Sequence, residues 1–259
     1  KILSSTITKL NAPLTQAFDS QPSSDLQISV TPTINAQTQR LADFDTLIEA
    51  LEYAAKGTTG YNFHDARGKL RSVLPYRLLR QNARLLAQRL SGFSLDRGSH
   101  VAIIADTSPE FIELFFACRY AGLVPFAMPV PVNLGSHAMY VQQLRAMLNS
   151  GQASIALANL DYVNFLEEAA RETENIKWVG TPDQLSKLPA ANAKPQINHP
   201  DETAYLQFTS GSTRAPRGVV ITERALMRNI QGIVCNGLEI QPGDRGAFCL
   251  PFYHDLGLA

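Results

Sequence analysis

The stretch VAIIADTSPEFIELFFACRYAGLVPFAMPV, residues 101–130, decides the fold class. VAIIA is a short run of apolar, partly β-branched residues, which suits a strand buried on both faces. Ser108 followed by Pro109 is a helix-opening pair: a hydroxyl at the N-cap and a proline at the first helical position. Phe111, Ile112, Leu114, Phe115 and Cys118 then form a wide apolar stripe, and Gly122 stands where a helix would be closed by a left-handed residue. LVPFAMPV reads as a second strand. Strand, helix and strand within thirty residues predict a parallel pair joined by a helical crossover.

The same alternation continues downstream. HAMYVQQLRAMLNSG is helical, SIALA strand-like, a helix is predicted from Asp161 to about Thr173, and IKWVG is strand-like. Residues 180–202 are Pro-rich and polar and read as a connector. Beyond them lie the strand TAYLQF, a hydroxyl-rich loop, the strand GVVIT, a helix from about Glu223 to Val234, and a final predicted strand RGAFCLPF. Upstream, Leu47, Ile48, Leu51 and Ala54 recur at helical spacing with Gly57 placed to end the helix. A hairpin is predicted around Asp65 and Gly68, and Pro75 opens a helix whose Leu79, Ala83, Leu86 and Leu90 share one face ahead of Gly92. Residues 1–43 mix Ser, Thr, Gln, Asn and Pro without sustained period and read as a loosely ordered leader. The expected fold is α/β, a mainly parallel sheet flanked by helices, over residues 44–259.

Composition narrows the function classes. The chain has 259 residues, 45% of them hydrophobic and 18% charged, enough to bury a sizeable core. Lys plus Arg and Asp plus Glu both number 23, so no net field draws the protein towards nucleic acid or an anionic membrane. The longest apolar run is broken by Glu113, Arg119 and Gly122, so a membrane-spanning helix is not expected. Cys118, Cys235 and Cys249 match neither a disulfide framework nor a zinc spacing and read as reduced, buried thiols of a cytosolic protein. No charged head leading into an apolar stretch and cleavage site is seen at the start.

The loop in LQFTSGSTRAPRGVVIT, residues 206–222, carries the chemistry. Gly211 and Gly218 permit close backbone approach, and unpaired amides in a tight Gly-rich turn form an anion-binding concavity. The hydroxyls of Thr209, Ser210, Ser212 and Thr213 can donate to phosphate oxygens, and Arg217 offers a bidentate fork. A polyphosphate fits such a loop. The Walker pattern is not met, because Val219 follows the second glycine and no lysine occurs. A solvated turn between two strands explains the same composition.

YLQFTSGSTRAPRGVVIT resembles the signature phosphate loop of the acid-adenylating superfamily, which includes acyl-CoA synthetases, nonribosomal-peptide adenylation domains, luciferases and fatty acyl-AMP ligases. LPFYHDLGL, residues 250–258, is similar to the next family motif, and its His-Asp-x-Gly-Leu form is most like the fatty acyl-AMP ligase branch. The likeness extends over about residues 44–259. It implies a two-step reaction: a fatty acid carboxylate attacks the α-phosphorus of ATP, pyrophosphate leaves, and the acyl group of the acyl-AMP passes to the thiol of an acyl carrier protein. An acyl-CoA synthetase delivering to CoA shares every motif seen, and a non-catalytic binding module descended from such an enzyme is the alternative from another class. The resemblance implies that Thr209, Ser210, Gly211, Ser212, Thr213, Arg217 and Gly218 hold the β- and γ-phosphates with Mg2+ sharing the charge. It implies that His254 lies beside the carboxylate and α-phosphate, while Asp255 either orients the imidazole or caps a following helix. The family's adenine and ribose groups, its acidic magnesium residue and its C-terminal lysine fall after the position of Ala259. The chain is therefore expected to be an N-terminal portion that does not adenylate by itself.

Two positions depart from the family pattern: Arg214 stands where glycine is usual and Arg217 where lysine is usual. Arg217 keeps the positive charge. Arg214 either carries a backbone cost of about 1 kcal/mol, if φ is positive there, or adds a second cation. His64, His100, His137 and His199 show no spacing for joint metal ligation. Trp178 between Ile176 and Val179 reads as core, and Glu167 and Glu168 as a solvated helix face.

Overall fold

The computed structural model describes residues 38, 40–131, 136–209, 216–241, 243–254 and 257, all within one of the chain's two units, residues 35–259. Most of the expected leader lies outside the described residues. Its last part does not: Arg40 places its guanidinium 3.7 Å from the Phe44 ring centre and pairs with Asp43 at 2.8 Å.

The helix α1 (Leu47–Ala54) is capped by Thr46, whose hydroxyl accepts from Glu49 N–H. A hairpin follows, β1 (Gly60–His64) antiparallel to β2 (Leu70–Pro75). Asp65 forms its turn by accepting from the backbone N–H of Arg67 and Lys69, and Gly68 takes φ +74°. Then α2 (Tyr76–Ser91) buries Leu79, Ala83, Leu86 and Leu90, the face expected from the spacing.

The crossover unit that decides the fold forms as the sequence predicts. It comprises β3 (His100–Ile104), α3 (Pro109–Tyr120) and β4 (Val124–Met128), with β3 and β4 parallel. Ser108 Oγ accepts from Phe111 N–H at 3.3 Å. The helix ends in a Schellman motif: Leu123 N–H reaches Cys118 O at 2.8 Å and Gly122 N–H reaches Arg119 O at 3.1 Å, with Gly122 at φ +74°. The chain continues through α4 (His137–Ser150), β5 (Ala153–Leu157), α5 (Val163–Ala170) and β6 (Trp178–Gly180). After these come a short helix α6 (Pro182–Lys187), β7 (Thr203–Thr209), β8 (Arg217–Thr222) and α7 (Glu223–Gly232), the last running into a π-helical turn, Ile233–Gly237.

The six strands lie in the order β6-β5-β3-β4-β7-β8. All neighbours are parallel except β7 and β8, which are antiparallel. The connection between those two, residues 210–216, is too short for a crossover, so the chain turns straight back. Side chains alternate between two cores. Val101, Ile103 and Tyr205 join α2, α3 and Leu226 of α7 on one face; Ala102, Ile104, Phe126 and Leu206 join α4 and α5 on the other. The α/β reading with helices on both faces is thus what the chain adopts.

Four expectations are corrected. RGAFCLPF is not a strand: residues 243–250 are exposed and irregular and join neither sheet. The connector holds α6, with Thr181 and Gln184 forming a capping box, a signature that sits in the sequence as T-P-D-Q. The helix expected over 161–173 is shorter, Val163–Ala170. Of the cysteines only Cys118 is buried; Cys235, in the π-helical turn, is half-buried and Cys249, in the irregular stretch after it, is exposed. Trp178 is half-buried against the core, its ring 5.5 Å from Phe93.

One buried polar network crosses this framework. Arg119 on α3 is 2% exposed and Glu223 at the start of α7 fully buried; they pair at 3.0 Å. Arg119 also donates to Leu123 O at 2.7 Å and to Asn198 Oδ1 at 2.7 Å, while Glu223 Oε2 accepts from Leu47 N–H at 2.8 Å. Burial pulls the guanidinium below its ordinary value and Glu223 opposes that, and an arginine stays protonated throughout.

Substituting Arg119→Met strands a buried carboxylate, so equilibrium denaturation is expected to show a loss of about 3–5 kcal/mol, partly recovered when Glu223→Leu is added. A loss below about 1 kcal/mol would show that the pair behaves as an exposed one. A second outcome concerns Glu52. Burial pushes its carboxyl up, but hydrogen bonds from Tyr120 Oη and Arg80 Nε, both at 2.6 Å, outweigh it and hold the group below its ordinary value of 4.5. A depressed folded value gives stability that is complete above the unfolded value and lost as pH falls through the folded one. Stability measured below about pH 4.5 is therefore expected to fall more steeply in the unsubstituted chain than in Glu52→Gln; equal slopes would contradict it.

Candidate functional site

β7 brings the loop to the sheet. Its residues Ala204, Tyr205, Leu206 and Gln207 are buried, Phe208 half-buried and Thr209 exposed, so the strand emerges from the core as it reaches the loop. β8 pairs back in register: Thr209 faces Arg217, Phe208 faces Gly218 and Gln207 faces Val219. Thr209 and Arg217 thus flank the two ends of the loop. Ser210, Gly211, Ser212 and Thr213, with Arg214, lie outside the described residues. The carbonyl of Pro216, where the chain re-enters, accepts from Ser150 Oγ at 2.7 Å, which holds that end against the last turn of α4.

Arg217 is exposed and makes no ion pair among the described residues. Gly218 is exposed; a Cβ built there would lie 3.4 Å from the Phe208 ring, an ordinary contact, so crowding within the chain does not demand the glycine.

His254 stands in a turn built by its own backbone: its N–H reaches Pro251 O at 3.0 Å, and its carbonyl accepts from Gly257 N–H at 2.9 Å. The side chain is exposed. Asp255 lies outside the described residues. Two contacts hold this turn to the fold. Phe252 stacks on the buried ring of Phe111 of α3, with centroids 5.3 Å apart and planes 14° apart. Gln207 Nε2 of β7 donates to Tyr253 O at 3.1 Å. The residue before His254 is therefore bonded to the strand that delivers the loop. Sequence reading assigned Gln207 no role, although a lone amide inside the apolar run TAYLQF is the signal that marks it.

A second polar cluster, also unassigned from sequence, sits past the carboxyl ends of β3 and β5. Asn159 Nδ2 donates to Asp106 Oδ2 at 2.6 Å and Ser108 Oγ to Asp106 Oδ1 at 2.9 Å. Burial pushes the Asp106 carboxyl up and these donors pull it the other way. Ser108 already serves as the cap of α3, so the cluster fixes the start of that helix.

The other histidines are placed apart. His100 bonds Gly151 O through Nδ1 at 2.6 Å, and His137 Nε2 meets Glu168 Oε2 at 2.6 Å, joining α4 to α5. Glu168 is thus an inter-helix partner as well as part of a solvated face. Among the described residues no group of three or more His, Cys, Asp or Glu side chains is placed to share a metal ion, and no helix is long and apolar enough to cross a membrane.

Against known proteins, a family model described as AMP-binding enzyme matches residues 58–259. A Caulobacter vibrioides protein named "Putative acyl-CoA synthetase" is 40% identical over 234 residues, 90% of this chain and 40% of that protein. The medium-chain-fatty-acid–[acyl-carrier-protein] ligase JamA of Moorena producens is 31% identical over 225 residues, 83% of this chain and 37% of its own length. A solved structure from a study of fatty acyl-adenylate ligases from E. coli and L. pneumophila superposes with a TM-score of 0.81 at 41% identity, covering 85% of this chain and 39% of that one. The chain spans about two-fifths of the length of these relatives. With the family model covering most of its length, the chain belongs to the AMP-binding enzyme family.

Proposed function

We propose that the chain forms the phosphate-holding part of an enzyme that activates a fatty acid as its acyl-adenylate. In the first step a carboxylate oxygen forms a bond to the α-phosphorus of ATP, the bond to the β-phosphate oxygen breaks, and pyrophosphate leaves. In the second a thiol sulfur bonds to the acyl carbon and AMP departs. Little covalent work falls to the protein in such a displacement: it positions the reactants and neutralises charge growing on the phosphate oxygens. In this reading Thr209 and the hydroxyls and amides of Ser210, Gly211, Ser212 and Thr213 donate to the β- and γ-phosphates. Arg217 adds a charged fork at the far end of the loop and Gly218 leaves room beside it. His254 stands beside the α-phosphate and the incoming carboxylate.

The observation that carries the reading is the pairing of Thr209 with Arg217 at the neck of a hydroxyl- and glycine-rich loop, on the strand that also holds the segment bearing His254. Mg2+ beside the triphosphate is expected from the same chemistry. No Asp or Glu occurs among residues 205–209 or 216–220, so these residues do not supply it with carboxylates and no step is assigned to it.

Acceptors divide the relatives. The ligase JamA is named for an acyl carrier protein and the Caulobacter protein for CoA. We take the carrier-protein thiol as the acceptor, following the His-Asp-x-Gly-Leu motif, with CoA as the second reading. No nucleic-acid partner or membrane insertion enters this reading, and a cytoplasmic setting suits its substrates.

The test is fatty-acid-dependent ATP–pyrophosphate exchange by a full-length protein carrying this chain, followed by thioester formation with holo acyl carrier protein or with CoA. Exchange that requires the fatty acid, and a thioester on the carrier protein alone, are expected. Exchange without thioester on the carrier but with CoA would move the acceptor to the second reading, and absence of exchange would sink the activity. Arg217→Ala is expected to lower kcat/KM for ATP by about 10- to 100-fold, the worth of one charge-assisted hydrogen bond. His254→Ala is expected to lower kcat by about 100-fold with a smaller effect on KM, because charge grows beside it during the displacement; unchanged kcat would remove it from the site.

A further inference from the structure

Among the described residues two buried side-chain atoms lack any hydrogen-bond partner, Arg145 Nε and Gln207 Oε1. Arg145 is paired elsewhere on its guanidinium, with Glu172 at 2.8 Å. Gln207 is the more telling of the two. It is 9% exposed, lies two residues before Thr209, and stands in a strand whose neighbours Tyr205 and Leu206 are buried apolar residues. Its Nε2 donates to Tyr253 O at 3.1 Å and lies 3.4 Å from Phe208 O. Both partners are carbonyl oxygens, so turning the amide over would set oxygen against oxygen; the nitrogen belongs where it is, and the unpaired atom is the acceptor. A buried acceptor with no donor lowers stability. An apolar side chain of similar size would avoid that loss, on the face of the sheet that position 207 shares with Tyr205. The amide therefore weakens the strand on one side while making one specific link on the other, to the residue ahead of His254.

We propose that Gln207 is a positioning residue: its amide locks the turn carrying His254 to the strand that ends in Thr209, so that this turn and the strand end are held as one unit. The proposal rests on the reading of His254 and the loop as parts of one site. The link spans 46 residues of sequence and is made by a single side chain. Phe252 on Phe111 anchors the same turn to α3 through a ring, and the bonds of His254 N–H to Pro251 O and of Gly257 N–H to His254 O lie within the turn itself, whereas the bond to Tyr253 O ties the turn's backbone to β7.

Gln207→Met separates this role from ordinary packing, because the two predict opposite signs. Methionine fills similar volume, cannot donate to Tyr253 O and leaves no buried acceptor. In the 259-residue chain, 15N relaxation is expected to show order parameters at Tyr253 and His254 falling from about 0.85 to below about 0.6, with those in β3 unchanged. The melting temperature is expected to rise, or to fall by less than about 4 °C. Unchanged order parameters at both residues would overturn the proposal. So would a melting temperature lowered by about 4 °C or more, including a failure to fold, which would make Gln207 a core residue whose loss is felt everywhere. ATP titrated into a full-length protein carrying this chain is a separate arm: absence of binding there counts against the phosphate-loop reading, while the relaxation result decides whether Gln207 holds the turn.

Discussion

The buried pair of Arg119 and Glu223 is the constraint on which the placement of the loop depends. Glu223 follows directly on β8, the strand that takes the chain out of the loop, and Arg119 lies on α3, the crossover helix of the central parallel pair. Two charges taken out of water are costly unless every lone pair and proton is matched. Here they are matched by Leu123 O, Asn198 and Leu47 N–H, groups from three separate parts of the chain. The arrangement satisfies itself only when α1, α3, the connector and α7 are all in place. It also sets a carboxylate at the first turn of α7, where the helix dipole favours it. The start of α7, and with it the end of β8, is fixed by polar bonds of defined direction rather than by apolar packing, which tolerates sliding.

That distinction matters because β8 is otherwise weakly held. It is the edge strand, with Arg217, Gly218, Val219 and Val220 exposed. Its partner β7 is firm, buried from Ala204 to Gln207 between two cores. The strands on either side of the loop are thus held differently, β7 by burial and β8 through the ion pair at its far end. On the buried side Gln207 extends the same logic to the His254 turn, which has no sheet edge of its own to join.

Much of the framework was legible in the sequence, since the signals are local. Ser108 with Pro109, the stripe from Phe111 to Cys118 and Gly122 describe α3 and both its caps, and the apolar runs on either side mark β3 and β4. The long-range polar links were not legible: Arg119 and Glu223 are 104 residues apart, and each alone reads as a surface charge. RGAFCLPF shows the opposite failure, a segment with strand composition that joins no sheet, because β propensity measures fit to a sheet rather than a preference of the backbone. For the site, composition and resemblance pointed to Thr209, Arg217 and His254; the fold adds that the strand ending in Thr209 holds the peptide preceding His254. Gln207 escaped notice because a polar residue in a buried strand is read as an exception until its partner is seen.

In the proposed site a nucleotide's polyphosphate rests at the neck of this loop. A crystal structure of a full-length protein carrying this chain, with a non-hydrolysable ATP analogue bound, tests it most directly. β- and γ-phosphate oxygens are expected within hydrogen-bond distance of Thr209 Oγ1 and the Arg217 guanidinium, with the His254 ring on the α-phosphate side. A triphosphate bound elsewhere, with both residues turned to solvent, would contradict it.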